Sequence, residues 1–572
     1  MIAVILSVYA GRLVQLQVLD PQSLATMAAE EGRVEVPLVA RRGEITDRFG
    51  EPLATSIDGL AISVDPAQTA ALAPELATLF AQRLGADYFT VLRRLRGDGH
   101  FAYVARRVPA TLAVDVVAEA KAMGCAGEDE VTAACTTKGI FTEVDPVRDY
   151  PAHDVGANMV GLMGQDAPLT GMEVSFNKWL AGTDGRDEFM VAGGNRLPLG
   201  ESSHTDPVNG RPLELTIDRD LQWYASRLLR KQVTATGSLA GTATVLDTQT
   251  GEVLAFVDYP TFDPAAPDQS RQSDRASRGL SNVYEPGSVQ KVLTAAALLN
   301  ERVVTPRTPI RVPGTLTRGG RVLHDWFEHG PLRLTMTGVL SKSSNIGTVL
   351  AADRMSALTL RKYLVNFGFG QRTEVGANHE TAGLLPSPGN WTPLTKDRIA
   401  FGQSVSVNAL QMAAAINAVA NGGVYVPPSL VRGRATTNEG TEVGTETVKA
   451  RRVVSAKAAR QTAAMMERVL DPIAGTAPGA AVPGYRVAGK TGTAQRAVHQ
   501  SYVGGGTVVS FAGFAPADKP RFTVYVVLTR PRVAGGGGSL AGPVFAQLMA
   551  HVLMRYGVEP TGTPPSRLPA QW

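Results

Sequence analysis

The chain has 572 residues, a length for roughly three or four folding units, which excludes a single small module. Hydrophobic residues make up 44% and charged residues 19%, so a large core can form and wholesale disorder is excluded, while 59 glycines and 36 prolines require many loops. The net charge of +4 is spread without a basic tract, which argues against a nucleic-acid partner, and two cysteines with no HExxH, CxxC or EF-hand spacing imply no metal.

The N-terminus carries an apolar run from Met1 to Ala10, then Arg12, then the mixed segment Leu13–Leu19. A membrane helix needs about 20 mostly apolar residues, so residues 1–20 read as a partial transmembrane anchor whose remainder lies upstream, with a signal-peptide core as the alternative. Either reading places the bulk of the chain on the extracytoplasmic side of the cell membrane; the anchor reading holds it there by a single pass. Cys125 and Cys135, ten residues apart, can close a small disulfide ring in that oxidising compartment; two free thiols are the alternative.

Residues 21–215 mix short strand-like runs with helical windows at Leu72–Leu84 and Ala110–Met123 and read as scaffold. At 240–558 the texture changes. Thr242–Asp247, a turn at Thr248–Glu252 and Val253–Val257 predict a β-hairpin, residues 288–470 are mostly helical, and strands return at Tyr485–Ala488, Thr507–Phe514 and Phe522–Leu528. Two strands before the helical block and three after it predict one five-stranded antiparallel sheet flanked by helices, followed by a tail at 559–572.

The candidate chemistry lies in this second region. In Pro286-Gly287-Ser288-Val289-Gln290-Lys291 the Pro-Gly pair ends a loop and Ser288 opens a helix, so Ser288 and Lys291 share a face at i, i+3 and the hydroxyl comes within reach of the amine. That is a nucleophile with its base. Alone, S-x-x-K is common by chance, but Ser343-Ser344-Asn345 and Lys490-Thr491-Gly492-Thr493 follow it in order. His324, Asp325 and His329 precede the second element; with no G-x-S-x-G elbow they read as loop residues at a cleft rim, not as a triad. The run Gly535–Gly538 reads as a flexible surface loop without chemistry.

These three elements resemble the S-x-x-K, S-x-N and K-T-G signatures of the penicillin-binding proteins. Further likeness lies in Asp247-x-x-Thr250-Gly251-Glu252-Val253-Leu254-Ala255 and in Phe401-Gly402-Gln403-Ser404-Val405-Ser406-Val407 with Gln411, where Ser404 replaces the family's usual glycine. The scaffold segments Arg42-Gly43-x-Ile45-x-Asp47-Arg48-x-Gly50, Arg148-x-Tyr150-Pro151 and Gly171-Met172-Glu173 resemble the pedestal of the class B, monofunctional members. The resemblance implies an α/β multidomain chain: a membrane anchor, an extended α+β pedestal of the dimerisation type and a C-terminal penicillin-binding transpeptidase domain.

It also implies a division-type (FtsI-like) peptidoglycan D,D-transpeptidase, inhibited by β-lactams and working in septal cell-wall synthesis. An elongation-type enzyme and a penicillin-binding sensor or scaffold are the alternatives. By this resemblance Ser288 attacks the penultimate D-Ala carbonyl of a stem peptide, Lys291 takes its proton, Ser343 relays a proton near Lys490 and Asn345 orients Lys291. Lys490, Thr491 and Thr493 receive the terminal carboxylate, Gly492 lets the strand come close to substrate, and the backbone N–H groups of Ser288 and Thr493 form the oxyanion hole. No cofactor is implied. The implied partners are peptidoglycan stem peptides, a SEDS-family (FtsW-like) glycan polymerase and other divisome proteins.

Overall fold

The computed structural model describes residues 33–123, 138–192, 195–196, 202–496 and 504–572. The anchor reading at 1–20 and the cysteine pair Cys125 and Cys135 lie outside the described residues. The chain divides into two compact units. One takes the described residues within 33–44, 55–149 and 180–211; the other takes those within 45–54, 150–179 and 212–572. No helix among the described residues is long and apolar enough to cross a membrane.

The first unit contains β1 (Arg33–Leu38), β2 (Gly59–Val64), α1 (Ala73–Leu84), β3 (Ala102–Pro109), α2 (Ala110–Ala122), β4 (Ile140–Val144), β5 (Gly185–Ala192) and β6 (Ser202–Thr205). β2 pairs antiparallel with β3 and with β4, and β5 pairs with β1 and with β6. α1 follows the predicted apolar spacing: Ala73, Leu76, Ala77 and Phe80 share its buried face, and the helix stops at Gly85, which takes a left-handed φ of 66° at little cost. That face packs with Val116 and Ala120 of α2 and with Ile62 and Val64 of β2.

The second unit runs α3 (Arg219–Thr236), β7 (Ala240–Asp247), β8 (Val253–Tyr259), α4 (Gln290–Asn300), β9 (Pro309–Val312), β10 (Leu332–Thr335), α5 (Met336–Ser341), α6 (Asn345–Ala352), α7 (Ala409–Ala420), α8 (Ala456–Glu467), β11 (Ala488–Gln495), β12 (Thr507–Ala515), β13 (Phe522–Thr529) and α9 (Gly542–Arg555). The expected five-stranded sheet forms, in the order β8-β7-β13-β12-β11 and antiparallel throughout. β7 joins the two sequence halves by pairing with β13 from Ala240 opposite Thr529 to Asp247 opposite Phe522.

Alternate residues of β13 serve the two faces, as the period of a strand requires. Val524, Val526 and Leu528 pack with Leu229 and Val233 of α3 and with Phe545, Leu548 and Val552 of α9. Thr523, one residue out of phase, donates through Oγ1 to Asn417 of α7 at 2.7 Å. α7 is buried along its whole length, and its small Ala-rich surface lets it lie close to the sheet.

One strand begins later than its pattern predicts. Tyr485–Val487 lie in a turn and lead-in, where Tyr485 donates to the Val558 carbonyl and Arg486 pairs with Glu467, so their side chains serve as anchors and not as sheet residues. β11 starts at Ala488 because its partner β12 supplies a full ladder, Ala488 opposite Phe514 through Gln495 opposite Thr507, which overrides the poor strand propensity of its two glycines. The last residues do not trail away: Gln571 bridges Leu334 of β10, Thr335 donates its N–H to Ala570 at 3.0 Å, and Trp572 stacks against Arg311 and Arg333.

Candidate active site

Ser288 lies in a one-turn 3-10 segment, Gly287–Val289, that runs straight into α4. The sequence places Ser288 at the start of the helix itself; the tighter turn arises because Gly287 takes a left-handed φ of 54° and its N–H donates to the Gly402 carbonyl at 2.9 Å. Ser288 is half-buried and lines a cleft of about 380 Å³ with Ser343, Asn345, Thr491, Thr493 and Trp326. Lys291 follows in the first turn of α4 and is buried.

The second element is a turn between two helices. α5 ends at Ser341, Ser343 takes a left-handed φ of 59°, and Ser344 caps α6 by accepting the Gly347 N–H at 2.8 Å. This conformation costs a non-glycine residue about 1–2 kcal/mol, and it turns both the carbonyl and the hydroxyl of Ser343 toward the buried lysines. Lys291 Nζ donates to the Ser343 carbonyl at 2.6 Å and to Asn345 Oδ1 at 2.7 Å, with Ser343 Oγ at 3.4 Å. Lys490 Nζ donates to Ser343 Oγ at 2.9 Å, to the Thr491 carbonyl at 3.0 Å and to Thr491 Oγ1 at 3.1 Å.

The three sequence elements therefore meet at Ser343. Among the described residues Lys291 Nζ makes its hydrogen bonds to Ser343 and Asn345, not to Ser288 Oγ. Two donated bonds satisfy the two protons of a neutral amine and leave one lone pair, and catalytic contacts commonly tighten only once substrate is bound. Burial brings the Lys291 pKa down from the ordinary 10.5 to about 7, against a smaller opposing pull from Asp325. Burial, and then the neighbouring Lys291, holds Lys490 well below the usual lysine range.

On β11 the glycine also serves packing inside the protein. A Cβ on Gly492 would stand 2.3 Å from Ser510 Oγ, 2.9 Å from Val289 Cγ2 and 3.2 Å from the Pro286 carbonyl, so it is the serine-bearing turn that needs the gap. A Cβ on Gly287 would likewise meet the Thr493 carbonyl at 2.9 Å, which sets Ser288 beside Thr493.

Two sequence readings are corrected here. Asp325 is no rim residue: its side chain has no exposure, and it accepts from Ser344 Oγ at 2.7 Å, from the Asn345 and Ile346 N–H groups at 2.5 and 3.0 Å, and lies 3.1 Å from His329 Nε2. His329 is buried with it, whereas His324 stays at the surface. Gly535–Gly538 is no free loop either. Gly536, Gly537 and Gly538 line the cleft, Gly537 starts a short helix, and a Cβ there would overlap the Ser510 carbonyl at 2.0 Å. Both misreadings share a cause: the contacts span long sequence separations and leave no local pattern. Trp326 and Thr476 also line the cleft and carried no signal of their own, and Phe401 and Gln403, read only as part of a family likeness, line it too.

Comparison with known proteins gives this geometry a context. Residues 241–550 match the model of the penicillin binding protein transpeptidase domain, and residues 37–168 match that of the penicillin-binding protein dimerisation domain. The chain is 34% identical to penicillin-binding protein PbpB of Mycolicibacterium smegmatis, over all of this chain and 91% of that protein. It is 30% identical to peptidoglycan D,D-transpeptidase FtsI of Escherichia coli K12, over 96% of this chain and 90% of that one. The crystal structure of penicillin binding protein 3 of Mycobacterium tuberculosis with aztreonam superposes with a TM-score of 0.71 at 30% identity, covering 94% of this chain and all of that one. With its dimerisation and transpeptidase domains in that order, the chain belongs to the penicillin-binding proteins of class B.

Proposed function

We propose that the protein is a peptidoglycan D,D-transpeptidase that cross-links stem peptides through an acyl-enzyme on Ser288. The observation that carries this reading is the Lys291 amine, buried, held by two acceptors and brought to a pKa of about 7 beside a cleft-lining serine. A neutral Lys291 takes the Ser288 proton as Oγ attacks the penultimate D-Ala carbonyl. The oxyanion develops between the backbone N–H groups of Ser288 and Thr493, donors worth about 2.7–4 kcal/mol each in comparable sites. The proton taken by Lys291 passes through Ser343 Oγ, which lies 3.4 Å from Lys291 Nζ and is bonded to Lys490, to the departing D-Ala amine, while Lys490 with Thr491 and Thr493 receives the terminal carboxylate. An amine of a neighbouring stem peptide then takes the acyl group and frees Ser288.

The reading extends to a septal role, a single-pass membrane anchor built from the N-terminal apolar run, and a partnership with an FtsW-like glycan polymerase. The likeness to FtsI and PbpB and the scaffold motifs support it. Two experiments test the reading. Purified protein should release D-Ala from a D-Ala-D-Ala donor in the presence of an acceptor amine and form the cross-linked product, and Ser288→Ala should do neither; full turnover by Ser288→Ala would overturn it. Depletion in cells should give filaments, and rounded cells would point to elongation instead.

A further inference from the structure

We propose that Asp325 is a positioning residue for acyl transfer: its buried carboxylate fixes the Ser343–Asn345 turn and supplies the negative charge that faces Lys291. The inference rests on the acyl-transfer reading of this site. The carboxylate lies wholly inside the protein and is committed on both oxygens. Oδ1 accepts the Asn345 and Ile346 N–H groups at 2.5 and 3.0 Å, and Oδ2 accepts Ser344 Oγ at 2.7 Å and contacts His329 Nε2 at 3.1 Å. His329 holds it from behind: its Nδ1 meets the Gly330 carbonyl at 2.6 Å and its ring packs against Phe327 at 4.9 Å.

Helix capping accounts for part of this arrangement, since Ser344 caps α6 only through the Gly347 N–H and Asp325 takes the Asn345 and Ile346 N–H groups left open. What needs support is Ser343, held at a left-handed φ of 59° with both its oxygens turned to lysines. A strained backbone persists only where its surroundings over-determine it, and Asp325 grips the three residues that follow the strained one. The same carboxylate balances charge. Lys291 comes from α4 and Lys490 from β11; among the described residues the charges acting on this pair are the two lysines themselves and Asp325, with His329 on the far side of Asp325. Asp325 favours the protonated form of Lys291 and so works against its burial.

Removing the charge therefore has a signature that a packing defect lacks. Lys291 acts as a base only when neutral, so acylation rises as pH passes its pKa, and without Asp325 that rise moves to lower pH. Asp325→Asn is nearly isosteric and can keep the two N–H contacts through its oxygen. Asp325→Glu keeps the charge and displaces the oxygens. The experiment follows acylation of the full chain by a fluorescent penicillin from pH 5 to 9 in wild type and both variants, with thermal melting as the check on folding. Wild-type acylation, measured first, separates failure of the acyl-transfer reading from failure of this one.

For Asp325→Asn the acid limb should move down by about one pH unit, with a plateau rate ~10–100-fold lower from the loosened turn. Asp325→Glu should lower the plateau and leave the limb in place. A wild-type profile in Asp325→Asn, or a lower plateau with an unmoved limb, overturns the proposal. If Asp325→Asn does not fold, Asp325→Glu decides: a wild-type plateau, or a limb displaced downward despite the retained charge, overturns it.

Discussion

Lys291 is where the chemistry is most sharply set. Its pKa of about 7 lies below the ordinary 10.5, so the amine is neutral above neutrality and charged below it, and the charged form cannot take the Ser288 proton. Acylation by penicillin should therefore climb between about pH 6 and 8, which rates measured across that range will check. Lys291→Arg should remove activity at every pH, since a guanidinium keeps its proton in proteins. Recovery of that variant at high pH would contradict the assignment of a base. Ser404 offers a second test at this scale. Its φ of 58° puts a side-chain-bearing residue in the left-handed region, with its N–H held by Glu285 Oε1 at 2.8 Å. Left-handed strain of about 1–2 kcal/mol, less the extra chain entropy of glycine, predicts that Ser404→Gly gains about 0.5 kcal/mol of stability, read by denaturant unfolding.

Among the elements, the turn carrying Ser288 depends on neighbours distant in sequence. Gly402 takes φ 93°, and a Cβ there would lie 2.0 Å from the Gly287 carbonyl and 2.8 Å from Gln290 Cβ. Gly402→Ala should cost at least about 2 kcal/mol and slow acylation, because the backbone that aims Ser288 must move; unchanged melting and acylation would refute the role given to this contact. This dependence also explains what could and could not be read in advance. Ser288 with Lys291, Ser343 with Asn345, and Lys490 with Thr493 each sit on one short segment, so their spacing was legible. The boundary of β11 was not, because Lys490-Thr491-Gly492 forms a strand only against β12. Asp325, Gly402 and Gly537 act through contacts that chain order hides, and their value appears only once α4, α6 and β11 are brought together.

At the scale of the whole molecule, every residue assigned to the acyl transfer belongs to the second unit, whose sheet is closed by strands more than 270 residues apart. The five-stranded sheet could be foreseen because β-branched runs bracket a helical block, whereas the order of its strands comes only from the pairing of β7 with β13. The docking of the last residues could not be foreseen, since a Pro-rich tail carries no periodicity. That tail adds backbone bonds to the edge of β10, the strand that leads through α5 to Ser343, and the Ala570 carbonyl occupies the space a Cβ on Gly338 would take. At about 1 kcal/mol per hydrogen bond, deletion of residues 568–572 should cost about 2–3 kcal/mol and slow acylation by loosening the turn; a truncated chain with wild-type melting and rates would show that the tail braces nothing. The central claim, that Ser288 is the nucleophile of a penicillin-binding site, is tested most directly by intact-protein and peptide mass spectrometry after penicillin treatment. One covalent adduct on the peptide containing Ser288, absent from Ser288→Ala, is the predicted result, and an adduct that persists in Ser288→Ala would contradict it.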